Sequence, residues 1–258
     1  MASDWGRYEE RKFLLPPGTA GEIQTRLTRA AVPDKHSGVS GYEVASLYFD
    51  TWSGQCASDK REGEFDRYKV RLRAYRSDAA AGWAGFHLEL KSRQGNRIGK
   101  RRQLLRPEEA DGIAREGLGG AAVAALLDGD GERLIPPGLA EAWAARPVLR
   151  PAVLVTYRRS AFQLPGLPGL RLTFDRQVAA HPPCWPPEDA GGGRRPFSPV
   201  CIFEGKAPLA LPRTILQILA SHGILETSCS KFLLARDLLD TRIRDVHAAI
   251  PLAEGLHP

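Results

Sequence analysis

The stretch Arg67-Tyr68-Lys69-Val70-Arg71-Leu72-Arg73 decides how this chain folds. Arg67, Lys69, Arg71 and Arg73 alternate with Tyr68, Val70 and Leu72, and a β-strand repeats every two residues, so one face is cationic and the other apolar. In a lone strand this describes a solvated sheet surface, because antiparallel sheets commonly show one face to water. The pattern recurs, however. Glu89, Lys91 and Arg93 share a face opposite Leu88 and Leu90, and Lys100 shares one with Arg102. Arg171, Thr173 and Asp175 alternate with Leu170, Leu172 and Phe174, while Glu204 and Lys206 end another strand. A sheet with so many ordered polar faces can close on itself, charges inward, with helices covering the apolar outside. Like charges about 4 Å apart repel by roughly 4 kcal/mol at an effective dielectric near 20. By count the carboxylates are too few to balance such a lumen, which therefore calls for a negative guest.

A long polyanion supplies that guest, since phosphates suit Arg forks and Lys point charges alike. Nucleic acid is the rival. The basic strands lack the interleaved exposed aromatics of stacking platforms, and neither an RNP pattern nor a recognition-helix motif is present, so no nucleic-acid partner is expected.

The remaining sequence bounds the class. With 258 residues, 43% hydrophobic and 26% charged, the chain is globular rather than disordered or fibrous. Its 36 Lys and Arg against 30 Asp and Glu give a net charge of +6, compatible with an anionic partner without identifying one. Cys56, Cys184, Cys201 and Cys229 have no zinc-site spacing, so a reduced, cytoplasmic setting is expected. No apolar run approaches the roughly 18 to 20 residues of a membrane span, and no signal peptide is evident.

A first helix is expected over Gly18–Ala31, with Thr19 as N-cap and Glu22 as capping-box partner. Strands are expected over Val44–Asp50, Phe65–Arg76, Phe86–Arg93, Arg97–Leu105, Pro151–Leu164, Leu170–Val178 and Val200–Lys206, with Gln94-Gly95-Asn96 turning a hairpin. Helical spacing marks Pro107–Leu127, broken near Gly117, and then Pro212–Gly223 and Ser230–Arg244. Residues 181–199, rich in Pro and Gly, read as a loop insertion. The class is α+β.

Several short motifs, in order, resemble one family: Arg7-Tyr8-Glu9-Glu10-Arg11-Lys12-Phe13, Ser46-Leu47-Tyr48-Phe49-Asp50-Thr51, Tyr68-Lys69-Val70-Arg71-Leu72-Arg73 and Glu89-Leu90-Lys91. Tyr157-Arg158-Arg159-Ser160-Ala161-Phe162, Leu170 to Asp175, Phe203-Glu204-Gly205-Lys206 and Ser230-Lys231-Phe232 continue the series. Together they resemble the polyphosphate polymerase (VTC) domain of the vacuolar transporter chaperone, within the CYTH or triphosphate tunnel metalloenzyme superfamily, from about Arg7 to Leu239. The resemblance implies one tunnel domain over residues 1–258, a closed barrel of about eight antiparallel strands holding ATP and a growing polyphosphate chain, with Mn²⁺ or Mg²⁺. It implies Lys12, Lys69, Arg71, Arg73, Lys91, Arg159, Arg171 and Lys231 as phosphate ligands and Glu204 as metal ligand. Lys100, Arg102 and Lys206 are expected as further wall residues.

Alternatives stay open at several positions. Glu10 is a second metal ligand or a charge balancing Lys12. Glu204 can pair with Lys206, Arg158 can replace Arg159, and Asp175 reads better as a structural partner of Arg171 than as a ligand. Lys231, at a helix start, is unfavourable for the helix dipole unless it faces phosphate. The frame Tyr8-x-Glu10-x-Lys12 lacks the first carboxylate of hydrolytic CYTH members, and Ser228 stands where yeast-like members tend to place a lysine. The regulatory SPX domain and membrane segments of the eukaryotic complex are absent from the sequence, so a free-standing catalytic domain, with a membrane partner conceivable, is expected. The leading function is transfer of the ATP γ-phosphate to polyphosphate. The alternatives are a metal-dependent triphosphatase or polyphosphatase, and a non-catalytic polyphosphate-binding module.

Overall fold

The computed structural model describes residues 9–27, 31–34, 41–78, 82–95, 97–119, 148–189, 192–195, 200–208 and 210–240. The motif residues Arg7 and Tyr8, the helical expectation beyond residue 119 and beyond 240, the last part of the first expected helix before Ala31, Asn96 of the hairpin turn and parts of the 181–199 insertion lie outside them.

The chain runs β1 (Glu9–Leu15), α1 (Pro17–Leu27), β2 (Val32–Pro33), β3 (Tyr42–Asp50), α2 (Gln55–Glu62), β4 (Asp66–Ser77), β5 (Ala84–Gln94) and β6 (Arg97–Leu104). It continues through α3 (Pro107–Glu116), β7 (Arg150–Gln163), β8 (Arg171–His181), β9 (Cys201–Ala207), α4 (Arg213–Ser221) and α5 (Lys231–Leu239). Every expected strand forms within three residues of its expected bounds, the largest difference being β8, which runs on to His181. Three elements were not expected: β1, whose alternation carries charges on both faces, β2, only two residues long, and α2, a short helix with little apolar content. The α2 N-terminus is held by Asp50, whose carboxylate accepts from the Cys56 amide at 2.8 Å and the Ala57 amide at 3.3 Å. Helix α1 starts at Pro17, so Thr19 lies inside it, buried, instead of capping it.

All nine strands join one antiparallel sheet in the order β1-β9-β8-β7-β3-β4-β5-β6, with β2 beside β7. The sheet curls strongly. Strands β1 and β5 stand six places apart, about 29 Å in a flat sheet, yet a Glu10 carboxylate oxygen lies 3.1 Å from Lys91 Nζ. The expected closed barrel is nevertheless not formed. The edges β1 and β6 do not pair, and the sheet is an open half-barrel. The free edge of β1 is taken instead by the segment before α5, where Thr227 N–H donates to the Lys12 carbonyl at 2.9 Å and Phe13 bridges Glu226.

The apolar faces point outward under helices, as the alternation requires. Phe13, Leu15, Leu172, Phe174 and Phe203 are buried beneath Ala20, Ile23 and Leu27 of α1 and Ile215, Ile218 and Leu219 of α4. Leu47, Val70, Leu72, Leu88, Leu90 and Leu154 pack with Ala110 of α3 in a second cluster. Helix α5 lies at one end of the concave face. Its N-cap Ser230 accepts from the Leu233 amide, and Phe232 stacks on Tyr48 with centroids 5.1 Å apart. Among the described residues no helix is long and apolar enough to cross a membrane.

Candidate functional site

Strand register builds the concave wall. Tyr48 and Ser46 of β3 stand opposite Arg71 and Arg73 of β4. Lys69 and Arg71 in turn oppose Lys91 and Glu89 of β5, which oppose Lys100 and Arg102 of β6. On the other side of β3, Tyr42 opposes Arg159 of β7 and Arg159 opposes Asp175 of β8. Thr173 and Arg171 then face Glu204 and Lys206 of β9, which pair with Lys12 and Glu10 of β1. Lys231 joins the wall from α5. All expected site residues therefore share the concave side. Arg158, by parity, is on the convex side, where it meets Asp78 at 2.6 Å.

Glu89 is the hub of the first cluster. It is 2% exposed, and its carboxylate accepts from Arg71 Nε at 2.8 Å and Nη2 at 2.6 Å. Lys100 stands 3.2 Å away, and Arg73 and Arg102 each 3.5 Å. Burial opposes ionisation of Glu89, but Arg71, Arg73 and Lys100 more than offset it and hold its carboxyl well below the usual range. The Tyr48 hydroxyl accepts from Arg71 Nη1 and the Tyr157 hydroxyl from Arg73 Nη2, each at 3.1 Å, and Ser46 Oγ accepts from Arg73 Nε at 3.2 Å. The arginine forks are thus fixed before any ligand arrives.

Asp175 organises the second cluster. Fully buried, it takes Arg159 in a two-point contact of 2.6 and 2.7 Å and Lys231 Nζ at 2.6 Å. It is the partner of Arg159 and Lys231, not of Arg171. Arg171 instead reaches Asp34 at 2.7 Å. Lys231 at the start of α5 is compensated by this carboxylate, so its place at the positive helix end does not require phosphate. Burial lowers the Lys231 pKa, but Asp175, Tyr157 and Glu204 reverse that and raise it. Gly41, at φ +85, lets the chain pass against the Arg159 carbonyl, where a Cβ would collide.

The third cluster joins β1 to its neighbours. Glu10 bridges Lys12 and Lys91, each at 3.1 Å, and Lys12 also reaches the Cys229 carbonyl at 3.4 Å. Burial raises the Glu10 pKa, but Lys91 and Lys12 overcome it and keep the carboxyl ionised. Glu204 shows the same balance, with burial and Glu10 opposing ionisation and Lys12, Lys231 and Arg159 enforcing it.

A model of the VTC domain matches residues 7–239. This chain belongs to the VTC domain family. That membership supports a polyphosphate-related role. No curated protein matches the VTC domain described. Seventeen chains of solved structures match it. One is the PH1819 protein from Pyrococcus Horikoshii OT3, 13% identical over 88% of this chain and 97% of that one, with a TM-score of 0.44.

Glu10, Glu89, Asp175 and Glu204 are interleaved with the more numerous cations of this VTC domain, so the wall is partly self-neutralised. Parity had placed Glu89 and Asp175 on the charged face; it could not show that each gathers cations from several elements. Even so, the wall keeps an excess of positive charge. Burial, then Lys12, Lys60, Lys91 and Arg71, push Lys69 down to about 7. Burial and the Arg71 and Arg73 charges push Lys100 to about 8 against the pull of Glu89. Lys69 Nζ contacts Ser230 Oγ at 2.8 Å.

For Mn²⁺ or Mg²⁺ the relevant donors are Glu204 and Glu10, both held ionised and close enough to repel. Among the described residues no group of three His, Cys, Asp or Glu forms an all-protein cage. Two carboxylates fit the mode in which Mg²⁺ takes its other ligands from phosphate oxygens and water. Arg171 and Lys206 stand beside a cavity of about 450 Å³ lined also by Val32, Leu164 and Leu167.

Proposed function

We propose that this VTC domain is a polyphosphate polymerase that transfers the γ-phosphate of ATP to a growing inorganic polyphosphate chain, on the concave face. The observation that carries the reading is the positive excess of a wall whose arginines are already fixed. Arg71, Arg73 and Arg159 are oriented by Glu89, Ser46, Tyr157 and Asp175, while burial, and then the neighbouring cations, leave the protons of Lys69 and Lys100 weakly held. A condensed phosphate removes that stress. Phosphoryl transfer asks mainly for alignment and charge neutralisation, which is what such a wall supplies.

In this reading Arg71, Arg73 and Arg159 grip the triphosphate, with Lys12, Lys69, Lys91, Lys100, Arg102, Arg171, Lys206 and Lys231 along the wall. Glu204 and Glu10 would hold Mn²⁺ or Mg²⁺, which when bound would neutralise charge on the phosphate oxygens. A terminal oxygen of the polyphosphate chain attacks the γ-phosphorus in line. The bond from that phosphorus to the β,γ-bridging oxygen breaks, and its electron pair leaves with ADP. Anion attacks anion here, so the basic wall acts on the barrier itself. The single carboxylate in the Glu10 frame, already tied to two lysines, leaves little capacity to activate water.

The test is incubation of purified protein with ATP and Mn²⁺. ADP together with nuclease-resistant chains supports the polymerase. Orthophosphate alone points to a hydrolase, and retention of polymer without turnover points to a binding module. Glu204→Gln is expected to abolish ADP release while the fold persists, and a wild-type rate would remove Glu204 from the reaction.

A further inference from the structure

Beyond the clusters built on Glu89, Asp175 and Glu10, the same sheet carries cations with no carboxylate. Strand β4 continues past Lys69 to Arg67, and β5 past Lys91 to Arg93. The register sets Arg67 directly opposite Arg93, and Lys69 directly opposite Lys91. Like charges facing each other across a ladder are unfavourable. Two such pairs follow one another on one face, and Lys60 of α2 adds a further cation beside them. Arg67 donates to the Gly63 and Glu64 carbonyls at 3.2 and 2.5 Å, and Arg93 donates to the Gly95 carbonyl at 2.8 Å. Among the described residues, no carboxylate lies within ion-pair distance of Lys60, Arg67, Lys69 or Arg93. All four are part-exposed.

We propose that Lys60, Arg67 and Arg93 form a second anion-binding site, a path by which a condensed phosphate chain longer than a triphosphate leaves the concave face at the α2 end. The proposal rests on the polyphosphate reading above and adds to it a direction and a set of residues. From Arg73 to Arg67 the strand advances about 20 Å, a continuous cationic line that exceeds what a triphosphate alone can occupy. The four groups act on one another: burial, Arg67, Arg93, Lys12 and Lys91 lower the Lys60 pKa, and burial and Arg93 lower that of Arg67. The potential is therefore continuous from the site to the α2 end. The Arg171 and Lys206 part of the wall differs, because Arg171 there is neutralised by Asp34 at 2.7 Å and the adjoining cavity wall is largely apolar.

The experiment compares binding of inorganic tripolyphosphate and long-chain polyphosphate to wild type, to the Lys60→Ala/Arg67→Ala/Arg93→Ala variant and to Arg171→Ala/Lys206→Ala. Wild type is expected to prefer the long chain. The triple variant is expected to lose about tenfold in long-chain affinity, the sum of three exposed charge contacts, with tripolyphosphate affinity held within about twofold. Its long-chain binding should also depend less steeply on salt. Melting at or above the wild-type temperature would show that the fold persists and that the repulsion was real. The single variants Arg67→Gln and Arg93→Gln give the same readout if the triple variant does not fold. The path is overturned if the length preference survives in the triple variant, if both probes weaken equally, or if Arg171→Ala/Lys206→Ala is what erases it. Failure of wild type to bind either probe would instead overturn the polyphosphate reading itself.

Discussion

The centre of the concave wall and its α2 end are made of the same residue types and behave oppositely. At the centre, Glu89 and Asp175 are buried and each is surrounded by cations within 3.5 Å, so Arg71, Arg73, Arg159 and Lys231 are locked in place. At the α2 end Lys60, Arg67, Lys69 and Arg93 face one another with only carbonyls and a hydroxyl as partners. Buried carboxylates convert repulsion into geometry, and their omission leaves attraction for a ligand. The proposed transfer needs both: forks that do not move where the bond would be made, and net positive charge where the chain would be held.

The sharpest way to break this contrast is to remove a central carboxylate. Glu89→Ala leaves four cations without their common anion and is expected to cost about 3–5 kcal/mol, read by denaturant unfolding. Added polyphosphate should restore more stability to this variant than to wild type. A loss below about 1 kcal/mol would mean that Glu89 does not hold the wall. Next in size, Arg71→Ala should lower ADP release by about 10²–10³-fold with an unchanged circular dichroism spectrum, and an unaltered rate would break the link between the fixed forks and the chemistry.

A smaller effect sharpens the α2 end. Lys69 is faced by Lys12 from β1, Lys60 from α2, Lys91 from β5 and Arg71 from its own strand, and burial with these charges brings it to about 7. Between about pH 7 and the ordinary lysine value the unfolded chain holds this proton more tightly than the native one, so the penalty of Lys69 is fully present below pH 7 and relieved as pH rises. Polyanion binding has the opposite sign, since it needs the ammonium. Long-chain affinity should fall several-fold between about pH 6.5 and about pH 8.5, with proton uptake on binding below that range absent and above it present. A flat profile measured by calorimetry would contradict this. The smallest effect belongs to the convex side: Arg158→Ala breaks an exposed pair with Asp78 and should change stability by less than about 1 kcal/mol without altering turnover, whereas the same change at the adjacent Arg159 should remove it.

Much of the fold was legible because period-two alternation is a local property. The runs at Phe65–Arg76 and Phe86–Arg93 announced both the strands and which face each would bury, and Pro151–Leu164 announced a strand. Strand β1 escaped because its two faces carry charge in sequence, and only the packing of Phe13 and Leu15 under α1 tells them apart. Helix α2 escaped because its start is set by Asp50, outside the helix. The sequence left Arg158 and Arg159 as alternatives, and the structure separates them by setting Arg159 on Asp175 and Arg158 on Asp78. The partner of Asp175 was not readable either, since Arg171 lies nearer in sequence and Lys231 reaches it from another element.

The sequence by itself determined that a many-stranded antiparallel sheet would have one cationic and one apolar face, because residue spacing and charge are written along the strand. Only the tertiary structure decided that the sheet stays open, that Glu10 meets Lys91 across 81 residues, and that Glu89 and Asp175 divide the wall into neutralised and unneutralised parts. Those outcomes depend on how far the sheet curls and on which chain segment claims the β1 edge. Both are settled by contacts between residues remote in sequence, for which no local pattern exists.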